Sequence, residues 1–140
     1  MKVLIFGITG MLGHTLFRYL SSSDNYGVFG TVRSTAKLSK LPIKMDVSNV
    51  ISTIDAFNLE SVATTIKSIE PDIVVNCIGI IKQLRESKDP IHAITLNSLF
   101  PHQLSMICRE VKARLIQIST DCVFSGAKGD YIEEDMPDAT

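Results

Sequence analysis

The 140-residue chain is 45% hydrophobic and 21% charged, which predicts one globular domain with a core of useful size. Its 14 basic and 15 acidic side chains give a net charge of −1, so it lacks the strong field that would attract nucleic acid or a membrane surface. Because there is no apolar run of about 18 residues and no signal-type segment, we expect a cytoplasmic protein that binds a small molecule.

The first predicted unit is a strand, a glycine-rich turn and a helix. The near-continuous apolar run Lys2–Phe6 is typical of a strand buried on both faces of a parallel sheet. Beyond the turn, apolar residues recur with helical spacing at Leu12, Leu16, Tyr19 and Leu20. The turn therefore joins a central strand to a helix.

Three glycines in this turn have distinct physical uses. Gly7 permits the tight reversal, Gly10 removes the Cβ that would keep a diphosphate from the backbone, and Gly13 lets the helix pack closely on the strand. Unpaired N–H groups and the positive end of the helix dipole would then face the phosphates. A purely structural turn is the alternative. The predicted dinucleotide pocket consists of Gly7, Thr9, Gly10, Met11, Leu12 and Gly13.

A second strand is predicted at residues 26–32, and it leads to Arg33. An acidic residue about 20 positions beyond the glycines binds the ribose hydroxyls in NAD-selective pockets, whereas a basic residue suits the 2′-phosphate of NADP. Arg33 stands 20 residues after Gly13, with Ser34 and Lys37 close behind. The sequence therefore favours NADP over NAD, and a solvated basic loop is the alternative interpretation.

The third strand ends before either Asp46 or Asp55, since an apolar segment precedes each. Asp55 is preferred because Asn58, three residues later, is a suitable N-cap for a helix over Leu59–Ile69. An aspartate at this strand end could accept a hydrogen bond from an adenine amino group. The alternative is an acidic residue that only precedes the helix.

Residues 73–78 form another apolar run typical of a doubly buried strand, and Gly79 closes it. A residue without a side chain is useful where the ribose and nicotinamide of a cofactor lie close to a strand end. The loop that follows points out from the carboxyl ends of the strands, where ligands bind in open α/β sheets. Lys82 and Arg85 in this loop could meet a substrate phosphate or remain solvated.

Asp89 and Pro90 predict the start of a long helix, with the aspartate as N-cap and the proline in the first turn. Pro101 falls inside this helix, where it lacks an N–H and clashes with the carbonyl of Asn97. Either a kink frees the Asn97 carbonyl for water or a side chain, or the segment breaks into two helices. The predicted apolar positions are Ile91, Ile94, Leu99, Leu104, Ile107, Cys108 and Val111.

The fifth predicted strand, residues 115–118, ends in Ser119-Thr120-Asp121, so hydroxyls lie at the ligand edge; residues from Val123 onward are predicted to be irregular loop. Alternating strands and helices predict an α/β fold, a doubly wound parallel sheet with strand order 3-2-1-4-5. Such sheets usually have a further strand, so the chain is expected to be truncated. An exposed edge strand would allow aggregation or a homodimer.

The three cysteines, Cys77, Cys108 and Cys122, lack the spacing of a metal or redox pair. We expect them to be buried, reduced thiols. The histidines also lack the spacing of a metal site, so no metal is expected.

Three segments together resemble one enzyme superfamily. They are Gly7-x-x-Gly10-x-x-Gly13, Asn76-Cys77-Ile78-Gly79 and Ser119-Thr120-Asp121-Cys122-Val123-Phe124-Ser125-Gly126. Over essentially its whole length the chain resembles the extended short-chain dehydrogenase/reductases, and the last segment is most similar to their dTDP-4-dehydrorhamnose reductase group. Cys122 departs from that group, which more often has tyrosine at this position.

The resemblance implies a Rossmann-type fold and hydride transfer from NAD(P)H to the C4 keto group of a deoxysugar nucleotide. It implies that Thr120 hydrogen-bonds the reacting carbonyl, and that the carbonyl of Asn97 holds a proton-relay water. Val123 and Phe124 would flank the sugar. The cofactor contacts that the resemblance adds are Asn76, Cys77, Ile78, Gly79, Asn97 and Ser119.

The resemblance also implies a tyrosine followed four residues later by a lysine, which lowers the pKa of the tyrosine so that it acts as general acid. The three tyrosines here, Tyr19, Tyr26 and Tyr131, are followed at that distance by serine, glycine and aspartate. We therefore expect an amino-terminal cofactor-binding part of a reductase, with negligible turnover by itself. The alternatives are an epimerase or dehydratase of the same superfamily, or a non-catalytic NADP-binding module.

Overall fold

The computed structural model describes residues 1–40, 47–81 and 84–139. Its strands are β1 (Lys2–Phe6), β2 (Gly27–Thr31), β3 (Val50–Ile51), β4 (Ile73–Asn76) and β5 (Arg114–Gln117). They form one parallel sheet in the order β3-β2-β1-β4-β5, so the predicted strand order is confirmed. The other predicted third strand, residues 43–45, lies outside the described residues.

Helices cover both faces of the sheet, as expected for a doubly wound fold. They are α1 (Met11–Ser21), α2 (Leu59–Ile69), α3 (Pro90–Ile94) and α4 (Phe100–Glu110), with a π-helical turn at Thr95–Leu99. Helix α1 packs on one face of the sheet, and α2 and α4 pack together on the other. Among the described residues, no helix is long and apolar enough to cross a bilayer.

The strand register aligns the carboxyl ends of the four longer strands. Phe6 pairs with Thr31 on one side and with Asn76 on the other, and Asn76 pairs with Gln117. Neighbouring parallel strands lie about 4.8 Å apart. The residues that follow these four positions therefore share one short edge of the sheet.

Helix α1 does not bury all the residues that the sequence pattern predicts. Leu12 and Tyr19 are 41% and 72% exposed, whereas Phe17 is only 2% exposed. Phe17 can be buried because β2 has a glycine opposite it: a Cβ at Gly30 would approach Ile8 Cδ1 to 2.6 Å and Phe17 Cδ2 to 2.9 Å. The missing side chain on β2 thus leaves the space that two apolar side chains fill.

The segment from α3 to α4 is one continuous helix rather than two. The predicted positions Ile91, Ile94 and Leu99 are 70%, 59% and 47% exposed, whereas Phe100 is fully buried. The π turn explains why Phe100 is buried in place of Leu99, because it contains one more residue than an α-helical turn and rotates the face that follows; Ile91 and Ile94 precede it and lie in α3, which has no buried residue. The buried face of α4 therefore runs from Phe100 through Leu104 and Cys108.

Strand β5 forms one edge of the sheet. Ile116 and Ile118 at this edge are each 37% exposed. Alternate residues of a strand share one face, so an apolar face of the sheet meets solvent here, unlike β1, where Leu4 and Ile5 are fully buried.

Candidate functional site

The turn after β1 has the backbone geometry that its glycines predict. Gly7 adopts φ +84°, and its carbonyl accepts a hydrogen bond from the Gly10 N–H at 3.1 Å. A Cβ at Gly13 would lie 2.3 Å from the Gly7 oxygen, so only glycine allows α1 to approach the turn this closely. The turn and the helix are therefore locked together by backbone contact.

The amino end of α1 is open to a ligand. Among the described residues, no side chain caps it, and its first turn contains no acidic residue. In the part of the chain that the structure describes, a Cβ at Gly10 would have one neighbour within 4 Å, the Gly7 oxygen at 3.5 Å. Thr9 is half-buried, and Met11 and Leu12 are exposed. Backbone N–H groups of this turn are thus accessible to an anion at the carboxyl edge of the sheet.

The end of β4 packs directly on this turn. A Cβ at Gly7 would lie 3.0 Å from Ile78 Cγ1 and 3.3 Å from the carbonyl carbon of Cys77. Asn76 is fully buried; its side-chain Nδ2 donates to Gln117 Oε1 at 2.8 Å and its side-chain Oδ1 accepts from the Ile78 N–H at 3.1 Å. Asn76 therefore fixes how the chain leaves β4 beside the glycine turn, and its contact with a cofactor stays a prediction.

Asn97 anchors the next part of this edge through its side chain. Its Oδ1 accepts from the Ile80 N–H and its Nδ2 donates to the Ile80 carbonyl, both at 2.8 Å. The same Oδ1 would lie 3.4 Å from a Cβ at Gly79. The sequence pattern predicted a role for the backbone carbonyl of Asn97 instead. Pro101, four residues later, has no N–H that could donate to this carbonyl. The relay water at that carbonyl remains a prediction.

The two predicted cofactor contacts on the other side of β1 differ in their surroundings. Arg33 lies two residues beyond β2 and is exposed, and no acidic side chain among the described residues pairs with it. Asp55 is half-buried and accepts from the Phe57 N–H at 3.0 Å, in the turn that leads to the Asn58 cap of α2. Asp46 and Lys82 lie outside the described residues.

The hydroxyl residues after β5 lie at the same edge of the sheet as the glycine turn. Ser119 and Thr120 are exposed, and the Thr120 hydroxyl accepts from the Cys122 N–H at 3.2 Å. Val123 and Phe124 follow and are half-buried. Because β1, β4 and β5 are adjacent, one ligand can reach from the glycine turn to these residues.

The described segment that follows Val123 contains no helix or strand, so the predicted irregular loop is confirmed, and hydrogen bonds hold it together. The Val123 carbonyl accepts from the N–H groups of Asp138 and Ala139, at 3.2 and 3.1 Å, so the two ends of the loop meet. The Ser125 backbone N–H, as a donor to Asp138, holds the pKa of this carboxyl below its usual value. The ammonium group of Lys128 likewise lowers the pKa of Asp135.

The three thiols differ in exposure, and Cys122 contradicts the expectation that all are buried. Cys122 is exposed, Cys77 is half-buried and Cys108 is 1% exposed. Burial raises the pKa of Cys77, and it raises the pKa of Cys108 to about 11.

These pKa shifts predict an order of thiol reactivity. Cys122 should react first with a disulfide reagent because it is exposed, and Cys108 should react only after unfolding, because it is buried and only the thiolate attacks. Cys77 should react slowly and accelerate as the pH rises, because its raised pKa keeps it protonated to a higher pH. Counting thiols with such a reagent over a pH series measures this order. Rapid labelling of a Cys122→Ser variant would contradict it.

Residues 1–139 match the family described as RmlD substrate binding domain. The chain belongs to the RmlD substrate binding domain family. The sequence resemblance to the dTDP-4-dehydrorhamnose reductase group is thereby confirmed, and the match extends over almost the whole chain.

Relatives of this RmlD-family chain are considerably longer. The dTDP-4-dehydrorhamnose reductase of Shigella flexneri is 32% identical over 126 residues, which are 90% of this chain and 37% of that protein. The solved dTDP-4-dehydrorhamnose reductase from Bacillus anthracis, in complex with NADP, has a TM-score of 0.69 and 26% identity, covering 89% of this chain and 38% of its own. The UDP-glucuronic acid 4-epimerase from Bacillus cereus, in complex with UDP-glucuronic acid and NAD, has a TM-score of 0.78 and 25% identity, covering 99% and 46%.

Proposed function

We propose that this chain is the cofactor-binding part of an NADPH-dependent reductase that acts on the C4 keto group of a deoxysugar nucleotide. The observation that carries the proposal is the open glycine turn at α1, which shares one sheet edge with Thr120. Membership of the RmlD family supports the reaction class. Such a reaction would supply sugar nucleotides for polysaccharide biosynthesis, a cytoplasmic pathway step.

The residues at this edge fit a dinucleotide in the proposed mechanism. The N–H groups at the start of α1 would bind the diphosphate, with Gly10 leaving room for it, and Gly79 would border the nicotinamide half. When bound, NADPH supplies the hydride. The Thr120 hydroxyl would donate to the sugar carbonyl and stabilise the negative charge that develops on its oxygen. Val123 and Phe124 would exclude water from the sugar.

A proton must also reach the reduced oxygen, and none of the tyrosines in the 140 residues has a lysine four positions later. Since the chain covers 37% of the Shigella flexneri relative, we propose that the general acid is supplied by further polypeptide. The 140 residues should then bind NADPH with negligible turnover. Sustained NADPH oxidation by these residues alone, with dTDP-4-dehydrorhamnose present, would contradict this division of roles.

The cofactor preference gives a direct test of Arg33. Its exposed guanidinium, with no acidic partner among the described residues, is suited to the 2′-phosphate of NADPH. A charge-assisted contact contributes about 2 kcal/mol, so NADPH should bind about 30-fold more tightly than NADH. Arg33→Asp should abolish this preference in a calorimetric titration with both cofactors.

The matched control is Arg18→Asp, which makes the same change in net charge in the last turn of α1, at the far end from the glycines. It should leave the ratio of the two affinities unchanged. Equal affinities of the original chain for NADH and NADPH would show that Arg33 does not bind the 2′-phosphate.

An epimerase is the second candidate function, supported by the TM-score of 0.78 with the Bacillus cereus 4-epimerase. Epimerisation returns the hydride to the sugar, so it would leave the cofactor unchanged overall. Reduction instead oxidises one NADPH for each sugar. Absorbance of the reduced cofactor during turnover of the complete protein would distinguish the two. A non-catalytic NADP-binding module is the third candidate function, and it predicts cofactor binding without affinity for a sugar nucleotide.

A further inference from the structure

The loop after Phe124 is closed by hydrogen bonds between side chains that are distant in sequence. Asp138 Oδ1 accepts from the Ser125 N–H, and Asp138 Oδ2 accepts from the Ser125 hydroxyl, both at 2.7 Å. The Tyr131 hydroxyl donates to the same Asp138 Oδ2 at 3.1 Å and lies 3.2 Å from Ser125 Oγ. Ser125, Tyr131 and Asp138 thus form a three-membered network, here called the loop clamp.

Lys128 makes two further contacts with Tyr131. The Lys128 N–H donates to the Tyr131 hydroxyl at 3.2 Å, and its ammonium group lies 5.7 Å from the centre of the Tyr131 ring. The same ammonium contacts both carboxylate oxygens of Asp135. The Tyr131 hydroxyl therefore has three polar neighbours, and its ring cannot rotate away without breaking these contacts.

The clamped ring stacks on Phe124. The two ring centroids are 4.4 Å apart and the planes are inclined by 20°. Phe124 is half-buried and stands four residues after Thr120. The orientation of the Phe124 ring is consequently set by Tyr131, whose own orientation is set by the loop clamp.

We propose that Tyr131 is a positioning residue for the sugar nucleotide: the loop clamp holds its ring against Phe124 and so fixes the wall that the sugar meets beside Thr120. This inference rests on the proposed function, because Phe124 is a substrate wall only if the sugar binds next to Thr120. An aromatic wall that is already ordered loses less conformational freedom on binding than a mobile one. Tyr131 therefore acts on sugar binding and leaves cofactor binding alone.

The test uses the complete protein with Tyr131→Phe and Tyr131→Ala, and dTDP-rhamnose in the presence of NADP as probe. Phenylalanine keeps the stack but loses the hydrogen bonds that tie the ring to Ser125, Asp138 and Lys128, whereas alanine loses both the stack and these bonds. We expect the Kd for dTDP-rhamnose to rise about threefold for phenylalanine and about tenfold for alanine, as expected for the loss of a stacked ring pair. The Kd for NADPH should stay within about twofold, and KM for the sugar should change more than kcat.

Tyr131→Trp is the rescue variant, since a larger ring restores the stack without the hydroxyl, and it should resemble Tyr131→Phe. Unchanged dTDP-rhamnose binding by a folded Tyr131→Ala protein would overturn the positioning role while leaving the proposed function intact. Failure of the original protein to bind dTDP-rhamnose, with NADPH still bound, would overturn the proposed function and the positioning role with it. If the alanine variant does not fold, the phenylalanine variant decides.

Discussion

Replacing Phe100 with alanine should lower the free energy of unfolding by about 4 kcal/mol, the range for truncating a fully buried phenylalanine. Phe100 has no exposed surface, and its ring meets that of Phe6 edge to face at 6.3 Å. The variant loses apolar contact area and this ring pair, and it leaves a cavity between α4 and the sheet. Domains of this size are stable by only about 5 to 15 kcal/mol, so urea unfolding should show a large shift in midpoint.

The matched control is Leu99→Ala, one residue earlier. Leu99 is 47% exposed, so its truncation should cost less than about 1 kcal/mol. The two variants also test the register of the helix. The apolar pattern of the sequence predicts that Leu99 is buried, whereas in the structure with its π turn Phe100 is buried. A larger loss of stability for Leu99→Ala would show that the π turn is not present in solution.

Replacing Gly13 with alanine should destabilise the fold by about 3 kcal/mol, the upper range for forcing extra atoms into a packed site. The new Cβ would lie 2.3 Å from the Gly7 oxygen, 2.9 Å from the Gly7 carbon and 3.0 Å from Ile8 Cα. All three are backbone atoms, so no side-chain rotation relieves the clash. Circular dichroism during urea unfolding measures the loss.

Gly10→Ala separates packing from binding in the same turn. Its Cβ would meet only the Gly7 oxygen at 3.5 Å, and its φ of −82° suits alanine. Stability should change by about 0.5 kcal/mol, while NADPH binding should weaken at least tenfold, or about 1.4 kcal/mol, because a methyl group now occupies the approach of the diphosphate. Equal stability of the Gly10 and Gly13 variants would contradict the packing role of Gly13.

Local signals in the sequence predicted much of the fold. Alternating apolar runs and turns gave the strand order, and a helix over Leu59–Ile69 with Asn58 as its cap is found with those bounds. The helix start at Asp89 and Pro90 is also confirmed, since Asp89 accepts from two N–H groups of the first turn. Both helix signals depend on residues within one turn of each other, whereas the strand order follows from the crossover rules for parallel sheets.

The remaining features depend on contacts between distant residues. The π turn before Pro101 is accompanied by the bonds from Asn97 to Ile80, 17 positions away, and helical periodicity alone cannot show these bonds. The loop clamp likewise joins Ser125 to Asp138 across 13 positions without any repeating pattern. Such features require the three-dimensional proximity that the sheet and helices create.

The loop between Val123 and Asp138 begins and ends at nearly the same place. Backbone hydrogen bonds from Asp138 and Ala139 to Val123 bring these two positions together, so the length of the loop between them does not set their spacing. If the sugar binds beside Phe124 as proposed, exchanging the residues between Val123 and Asp138 for those of relatives would change the wall that the sugar meets and leave the glycine turn as it is.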